Sequence, residues 1–64
     1  MNFKENLKKI RKEKNLTQQQ LADLLHVTKT TIANYEQGIK EPKLKTIEQI
    51  INILECSYDD LLKN

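Results

Sequence analysis

Apolar residues recur along this chain at intervals of three and four, with polar and charged residues between them. Such spacing places the apolar side chains on one face of an α-helix, so it predicts amphipathic helices. We predict five short helices, over residues 2–15, 17–27, 28–36, 44–55 and 57–64.

The apolar positions of these helices indicate one shared core. The predicted core positions are Phe3, Leu7 and Ile10 of the first helix, Leu21, Ala22 and Leu25 of the second, Ile32 and Tyr35 of the third, and Leu44, Ile47, Ile50, Ile51 and Leu54 of the fourth. Cys56 follows the fourth helix beside apolar positions and is expected to be a small core residue.

Side chains that can cap a helix stand before three of the predicted helices. Thr17 precedes the second helix, and Gln20 three residues later completes the pattern of a capping box. Thr28 is the expected N-cap of the third helix. Ser57 precedes the fifth helix, where Asp60 replaces the usual glutamate of the box.

Residues that tolerate a left-handed conformation stand at the predicted helix ends. Asn15 follows the first helix and Gly38 follows the third. Gly adopts this conformation most readily, and Asn tolerates it. His26 ends the second helix, where it would adopt a positive φ at some energetic cost. Pro42, in the loop before the fourth helix, limits helical continuation through the preceding residue.

The third helix is built from weak helix formers, in the stretch "VTKTTIANYEQG" from Val27 to Gly38. At about 100° per residue, with Ile32 facing inward, its outward side contains no acid. The outward positions are Thr30, Ala33, Asn34 and Gln37, with Lys29 and Thr31 on the flanks. An ordinary solvent face is one explanation, but such faces are commonly rich in Glu and Lys. The other explanation is a surface that approaches phosphates, which repel carboxylates.

The composition limits the possible classes of function. Sixty-four residues allow one domain, over 1–64, with a modest core. With a single Cys and a single His, the chain offers no disulfide and no zinc ligand set. Its only Gly ends the third helix, so there is no glycine-rich phosphate loop. No apolar run exceeds two residues and no signal peptide begins the chain, so we expect neither a membrane span nor export, and take a cytoplasmic location as the default.

The charge is unevenly distributed. Residues 1–45 contain ten Lys/Arg and five Asp/Glu, a balance of +5, whereas residues 46–64 contain one Lys and four Asp/Glu, a balance of −3. Such asymmetry suggests a nucleic-acid partner. Chance clustering on a solvated surface would give the same numbers.

The whole pattern resembles a Cro/lambda-repressor-like helix-turn-helix domain. The residues that carry the resemblance are "LTQQQLADLLHV", the "YEQG" that closes the third helix, and the Pro-x-Leu-x-Thr-Ile beginning of the fourth. The resemblance implies an all-α bundle of five short helices, with the helix-turn-helix at about residues 17–37. His26 and Asn15 stand where the family usually has Gly. Lys43 replaces a frequent Ser, so the fourth helix is expected to lack a side-chain cap.

The resemblance and the chemistry of the third helix together indicate the DNA contacts. Asn can pair with adenine, Lys with guanine, and Thr can offer its hydroxyl or methyl group to a base. We assign base contacts to Lys29, Thr30 and Asn34. We assign contacts to the DNA backbone to Gln18, Thr28, Gln37, Lys40 and Lys43. Gln18 lies near a helix N-terminus, which favours an anion. The resemblance implies that this Gln contacts phosphate and supports the third helix, and a simple polar residue of the first turn is the alternative. A role in solubility alone would equally account for Lys40 and Lys43.

Glu36 lies at the C-terminal end of the third helix, where the helix dipole disfavours a carboxylate. The family has an Arg–Glu pair at the positions of Arg11 and Glu36, which implies a structural link between the first and third helices. Two separately solvated charges are the alternative.

These observations predict a sequence-specific regulator of transcription that binds double-stranded DNA in the major groove, favouring a repressor. We expect a homodimer on an inverted-repeat operator, with helix five and the end of helix four as the interface. Its apolar material would come from Ile53, Tyr58, Leu61 and Leu62, although some of these residues must serve the core of the single chain. No enzymatic activity, cofactor, metal or small-molecule ligand is indicated. The alternative is an antitoxin or protein-docking module with the same fold, using Ile39, Tyr58, Leu61 and Leu62.

Overall fold

The computed structural model describes residues 2–63, and all regular structure in that range is helical. The helices are α1 (Phe3–Glu13), α2 (Gln18–Leu25), α3 (Lys29–Gln37), α4 (Leu44–Leu54) and α5 (Tyr58–Leu62). The predicted five-helix, all-α fold is therefore confirmed. The first two helices end two residues earlier than predicted, and the predicted end of the fifth helix at Asn64 lies outside the described residues.

The helix starts follow the predicted caps. The Thr17 hydroxyl accepts a hydrogen bond of 3.0 Å from the Gln20 amide, and the Gln20 side chain accepts one of 2.8 Å from the Thr17 amide. Ser57 and Asp60 form the same reciprocal box. Lys43 begins α4 without a side-chain cap, as predicted.

Helices α1 to α4 end with the same backbone arrangement. In each, a residue with positive φ is followed by an amide that donates back to a carbonyl five residues earlier, which is the Schellman motif. The positive-φ residues are Asn15 at 60°, His26 at 59°, Gly38 at 76° and Glu55 at 54°. The returning bonds measure 3.0–3.2 Å and run from Leu16, Val27, Ile39 and Cys56 to Arg11, Ala22, Asn34 and Ile51 respectively. Glycine therefore serves one of these four ends, and the other three use residues for which this conformation is less favourable.

The core lies where all five helices converge. Leu7, Leu21, Ile32, Ile50, Leu54 and Leu61 are fully buried in it. α1 packs on α3 and α5, while α2 packs on α3 and α4. Ile47, Ile51 and Cys56 lie at the margin of the core and pack against it.

The predicted role of Leu44 is wrong. The apolar spacing predicts Leu44 on the buried stripe of α4, but it is 64% exposed because it is the first residue of the helix and extends beyond the core. Leu61 is offered by the sequence either to a dimer or partner surface or to the core of one chain. It is fully buried in the core because α5 packs against α1, so it cannot form part of such a surface. Of the other apolar residues proposed for that surface, Tyr58 is exposed, and Leu62 and Ile53 are partly buried against the core.

Asn6 fixes α5 to α1. Its side-chain amide donates hydrogen bonds of 3.0 Å to the carbonyl of Leu61 and 2.8 Å to that of Lys63. These carbonyls lie at the C-terminal end of α5, where a helix leaves its last acceptors unsatisfied. One amide on α1 thereby holds a helix of only five residues in place.

Candidate nucleic-acid interface

Helices α2 and α3 are joined by a tight turn. His26 leaves α2 in the left-handed conformation, and the Val27 amide returns to the Ala22 carbonyl at 3.0 Å. Thr28 then begins α3 as its N-cap, with its hydroxyl accepting from the Thr31 amide at 3.2 Å. Because α2 also packs along α3, the two helices form a helix-turn-helix unit in which only one side of α3 faces away from the protein.

That outward side of α3 carries the predicted base-contacting residues. Lys29, Thr30 and Gln37 are exposed, and Asn34 is partly buried. Ile32 and Tyr35 lie on the opposite side, in the core. Within residues 2–63, no hydrogen bond occupies the side-chain amide of Asn34, so its donor and acceptor groups remain available.

The one acid of α3 is directed inward and paired. Glu36 accepts a hydrogen bond of 2.6 Å from Nε of Arg11 and one of 3.1 Å from Nη2, which makes the pair bidentate. The exposed fractions of the two side chains are 8% for Arg11 and 3% for Glu36. Arg11 also donates from Nη1 to the Leu16 carbonyl at 2.7 Å. The structure thus brings together Arg11 and Glu36, whose pairing the family resemblance implied, instead of leaving two separately solvated charges.

Gln18 joins the same network. Its amide Nε2 donates a hydrogen bond of 3.1 Å to Oε1 of Glu36. Gln18 is the first residue of α2, so this contact connects the beginning of α2 to the end of α3. The carboxylate of Glu36 is therefore shared among three helices, and its charge is balanced by Arg11 rather than presented to the outward face.

The network also orients Gln18. One N–H of the Gln18 side-chain amide is used in the bond to Glu36. Because the amide group is planar, that bond also fixes the directions of its second N–H and of its carbonyl oxygen. A side chain held this way, at a helix N-terminus with free backbone N–H groups, can donate to an anion with little loss of side-chain entropy. The sequence signalled Gln18 through its place in the first turn of α2, but its hydrogen bond to Glu36 was not predicted.

The two threonines at the beginning of α3 interact with each other. The Thr28 and Thr31 hydroxyl oxygens lie 3.0 Å apart, so one donates to the other. Thr28 also serves as the cap. The Thr28 hydroxyl therefore forms hydrogen bonds within the protein. The residue is nevertheless exposed, beside the outward side of α3.

Lys40 and Lys43 lie in the segment between α3 and α4, and both are exposed. This segment follows directly from the C-terminal end of α3. Glu41 stands between the two lysines in the chain and is exposed as well, so the local charge of this segment is less positive than two lysines alone would give.

The described part of the chain offers little that would support metal binding or thiol chemistry. Residues 2–63 contain no cluster of three or more His, Cys, Asp or Glu side chains that could hold a metal ion. Burial, with a smaller contribution from the charge of Asp60, raises the pKa of the Cys56 thiol, which disfavours the reactive thiolate form. No helix within that same range has the length and apolar character needed to cross a membrane.

Comparison with known proteins gives a consistent result. A helix-turn-helix family model matches residues 7–61. YqaE, an uncharacterized HTH-type transcriptional regulator of Bacillus subtilis (strain 168), is 54% identical over 61 residues, which cover 95% of this chain and 53% of the relative. RstR, the transcriptional repressor of cryptic phage CTXphi in Vibrio cholerae serotype O1, is 38% identical over 61 residues, covering 95% of this chain and 54% of RstR.

A third relative is named for the opposite regulatory effect. The HTH-type transcriptional activator BcrR of Enterococcus faecalis is 39% identical over 62 residues, covering 97% of this chain and 30% of BcrR. The chain thus spans about half the length of YqaE and RstR and a smaller part of BcrR.

Proposed function

Because the chain belongs to the Cro/lambda-repressor-like helix-turn-helix family, we propose that it binds a specific double-stranded DNA sequence and regulates transcription. The observation that carries the proposal is the outward side of α3, which is exposed or partly exposed and mainly polar, and which is free of carboxylates because the Glu36 side chain is buried with Arg11. Such a surface can approach the phosphates that border a major groove without electrostatic repulsion. A protein-docking module of the same fold has no need for it.

In this proposal α3 lies in the major groove. The groove is about 12 Å wide and admits one α-helix. Lys29, Thr30 and Asn34 then contact base edges. Asn34 is suited to adenine, to which a free side-chain amide can donate and accept in a bidentate pair, and Lys29 to guanine O6 and N7.

Contacts to the DNA backbone set the position of α3 in the groove. Gln18, oriented by Glu36 at the N-terminus of α2, is assigned to a phosphate on one side. Lys40 and Lys43, beyond the C-terminal end of α3, are assigned to the other side, and Gln37 lies on the outward face between them. Thr28 is assigned to the backbone beside the beginning of α3.

We propose that two copies act together on DNA. The longest dimension of the Cα trace is 25 Å, which is shorter than the roughly 34 Å that separates half-sites one helical turn apart. One copy therefore contacts one half-site. Each base pair supplies about 1–3 kcal/mol of discrimination, so a single half-site distinguishes the operator only weakly from competing genomic sequences. Two copies related by a two-fold axis would recognise an inverted repeat.

We propose repression as the regulatory effect. A protein bound across a promoter blocks access to it, so repression requires only the DNA-binding surface described above. Activation would require a further surface that contacts the transcription machinery. The proposed function is non-enzymatic, uses no cofactor or metal, and places the protein where the chromosome lies, in the cytoplasm at the nucleoid.

Selection of bound sequences from a random pool of double-stranded DNA tests this proposal. The expected product is an inverted repeat with half-sites about 10 base pairs apart, bound with nanomolar affinity by two chains. Failure to enrich any sequence, together with equal affinity for all duplexes, would contradict sequence-specific binding. An enriched asymmetric site saturated by one chain would contradict the dimer alone. A promoter carrying the selected site, placed before a reporter gene, should lose expression when the protein is supplied.

A further inference from the structure

Helix α1 presents a row of lysines beside the C-terminal end of α3. Lys4, Lys8 and Lys12 are spaced four residues apart, so they are neighbours on one face of the helix. All three are exposed and line one cleft with Gln37 of α3. We refer to these three residues as the α1 lysine face.

The charges of this face are not neutralised within the protein. Throughout residues 2–63 the Arg11–Glu36 bridge is the ion pair that forms, so the three ammonium groups have no carboxylate within bonding distance. Glu36 also borders the cleft, but its charge is balanced by Arg11. Glu5 is the second acid that lines the cleft, and Lys9 adds a fourth lysine to the three of the α1 lysine face. The cleft is therefore positive beside the outward side of α3.

Stability of the fold explains only part of this arrangement. Like charges four residues apart on a helix destabilise it. Lys4 has a local role, because its Cδ would lie 3.0 Å from a Cβ on Gly38, so its stem crosses the C-terminal end of α3, where a cation is favourable. Lys12 lies in the last turn of α1, where a cation is favourable as well. Lys8 lies in the middle of the helix, where the dipole offers no such gain.

We propose that the α1 lysine face, chiefly Lys8 and Lys12, binds DNA phosphates next to Gln37 and extends the backbone contacts beyond the helix-turn-helix. This inference rests on the proposed function, since it places a duplex against the outward side of α3. With α3 in the groove, the phosphates beside Gln37 border the cleft that Lys8 and Lys12 line. Lysine is a mobile point charge on a flexible stem, which suits contact with phosphate without sequence preference.

The consequence is a contribution to affinity that is independent of sequence. Each phosphate that a lysine neutralises adds about 0.9 to the slope of log K against log salt. Replacing Lys8 and Lys12 together by Gln should therefore lower the magnitude of that slope by about 2. At about 0.1 M salt, binding should weaken by at least tenfold, by the same factor on every duplex, with the selected motif unchanged.

The control is a second pair of lysines on the same molecule. Lys14 and Lys63 line a different cleft, with Cys56 and Asp60. Lys14→Gln/Lys63→Gln removes the same net charge as Lys8→Gln/Lys12→Gln, so it measures the effect of total charge alone. Lys8→Arg/Lys12→Arg keeps the two positive charges and should retain the wild-type slope. Gln has nearly the same helix propensity as Lys, so the variants should remain folded, which circular dichroism verifies.

Binding is measured between 50 and 200 mM salt on the selected site and on an unrelated duplex, using the full chain. A slope that falls for Lys8→Gln/Lys12→Gln but not for Lys14→Gln/Lys63→Gln supports the inference. Equal slopes for these two variants, with wild-type protein binding its site specifically, overturn this inference and leave the proposed function standing. Absence of any DNA binding by the wild-type protein overturns both.

Discussion

The carboxylate of Glu36 lies against the guanidinium of Arg11 in a bidentate pair, with Nε and Oε2 2.6 Å apart, and both side chains are more than nine-tenths buried. The pair joins α1 to α3, and Gln18 adds α2 through its bond to Glu36. The network that holds three helices together also removes the one negative charge of α3 from the surface assigned to DNA.

Removing one member of this pair should destabilise the fold more than removing both. Arg11→Met leaves Glu36 buried and uncompensated, so we expect a loss of about 3–5 kcal/mol in the free energy of unfolding. The double variant Arg11→Met/Glu36→Met should lose less than the sum of the two single variants. Urea unfolding in an osmolyte background that keeps the single variants folded measures this coupling.

A surface pair provides the comparison for that cycle. Gln19 donates to Asp23 at 2.8 Å on the exposed side of α2. Coupling between them should be about 0.2–0.5 kcal/mol. A coupling energy for Arg11 and Glu36 no larger than this value would contradict a structural role for the buried pair.

Replacing Asn34 by Ala should change which DNA is preferred. Loss of a bidentate base contact is expected to reduce affinity for the selected site by about 1–3 kcal/mol and to relax preference at one position of each half-site. Lys43→Ala removes a backbone contact instead and should weaken all sequences by a similar factor. Site selection repeated with both variants separates these results. An unchanged motif and unchanged affinity for Asn34→Ala would show that α3 is placed differently on DNA.

Glycine at the strained helix ends should stabilise the protein. His26 and Glu55 adopt φ of 59° and 54°, which costs a residue with a Cβ roughly 1–2 kcal/mol. His26→Gly and Glu55→Gly should each raise the free energy of unfolding, by about 0.5–1 kcal/mol after the greater entropy of glycine in the unfolded chain is subtracted. Asn15→Gly, at φ 60°, should gain less because Asn tolerates this conformation. A larger gain at Asn15 than at Glu55, measured by urea unfolding, would contradict this explanation.

The capping box of α5 should weaken in acid. The Ser57 backbone and side-chain hydrogen bonds lower the pKa of the Asp60 carboxyl from its ordinary 3.8. Because the pKa is lower in the folded than in the unfolded state, this carboxylate stabilises the fold above about pH 3.8, and the contribution is lost as the pH falls through the folded value. Asp60→Asn should therefore reduce stability at neutral pH, and the difference from the wild type should shrink below about pH 4.

Asp59 supplies the control for this measurement, because it lies in the same first turn of α5 but outside the capping box. Thermal unfolding is followed from pH 7 to pH 2.5 for the wild type, Asp60→Asn and Asp59→Asn. If the stability difference for Asp60→Asn were constant over this range, or matched by Asp59→Asn, the box would not be its source.

Features that depend on residues within about one helical turn of each other can be read from the amino-acid sequence. The apolar spacing located the first four helices, and the Ser57 and Asp60 capping pattern located the fifth. Thr17, Thr28 and Ser57 marked three helix starts because a cap acts on an amide three residues away. The same periodicity places the polar residues of α3 on one side, so the lack of an outward acid follows from helical geometry alone. Left-handed ends at Asn15 and His26 followed from where the apolar pattern stops.

Features that depend on contacts between helices distant in sequence emerge only from the packed fold. The stripe of α4 does not reveal that Leu44 extends beyond the core, nor does the pattern of α5 reveal that Leu61 is buried against α1. Gln18 and Glu36 are 18 residues apart, so their hydrogen bond exists only because α2 and α3 pack at this angle. The lysines of α1 likewise resemble an ordinary solvated face until packing places them beside Gln37. Periodicity specifies which side of a helix is apolar, whereas the neighbour that covers that side is selected by the packing of the whole core.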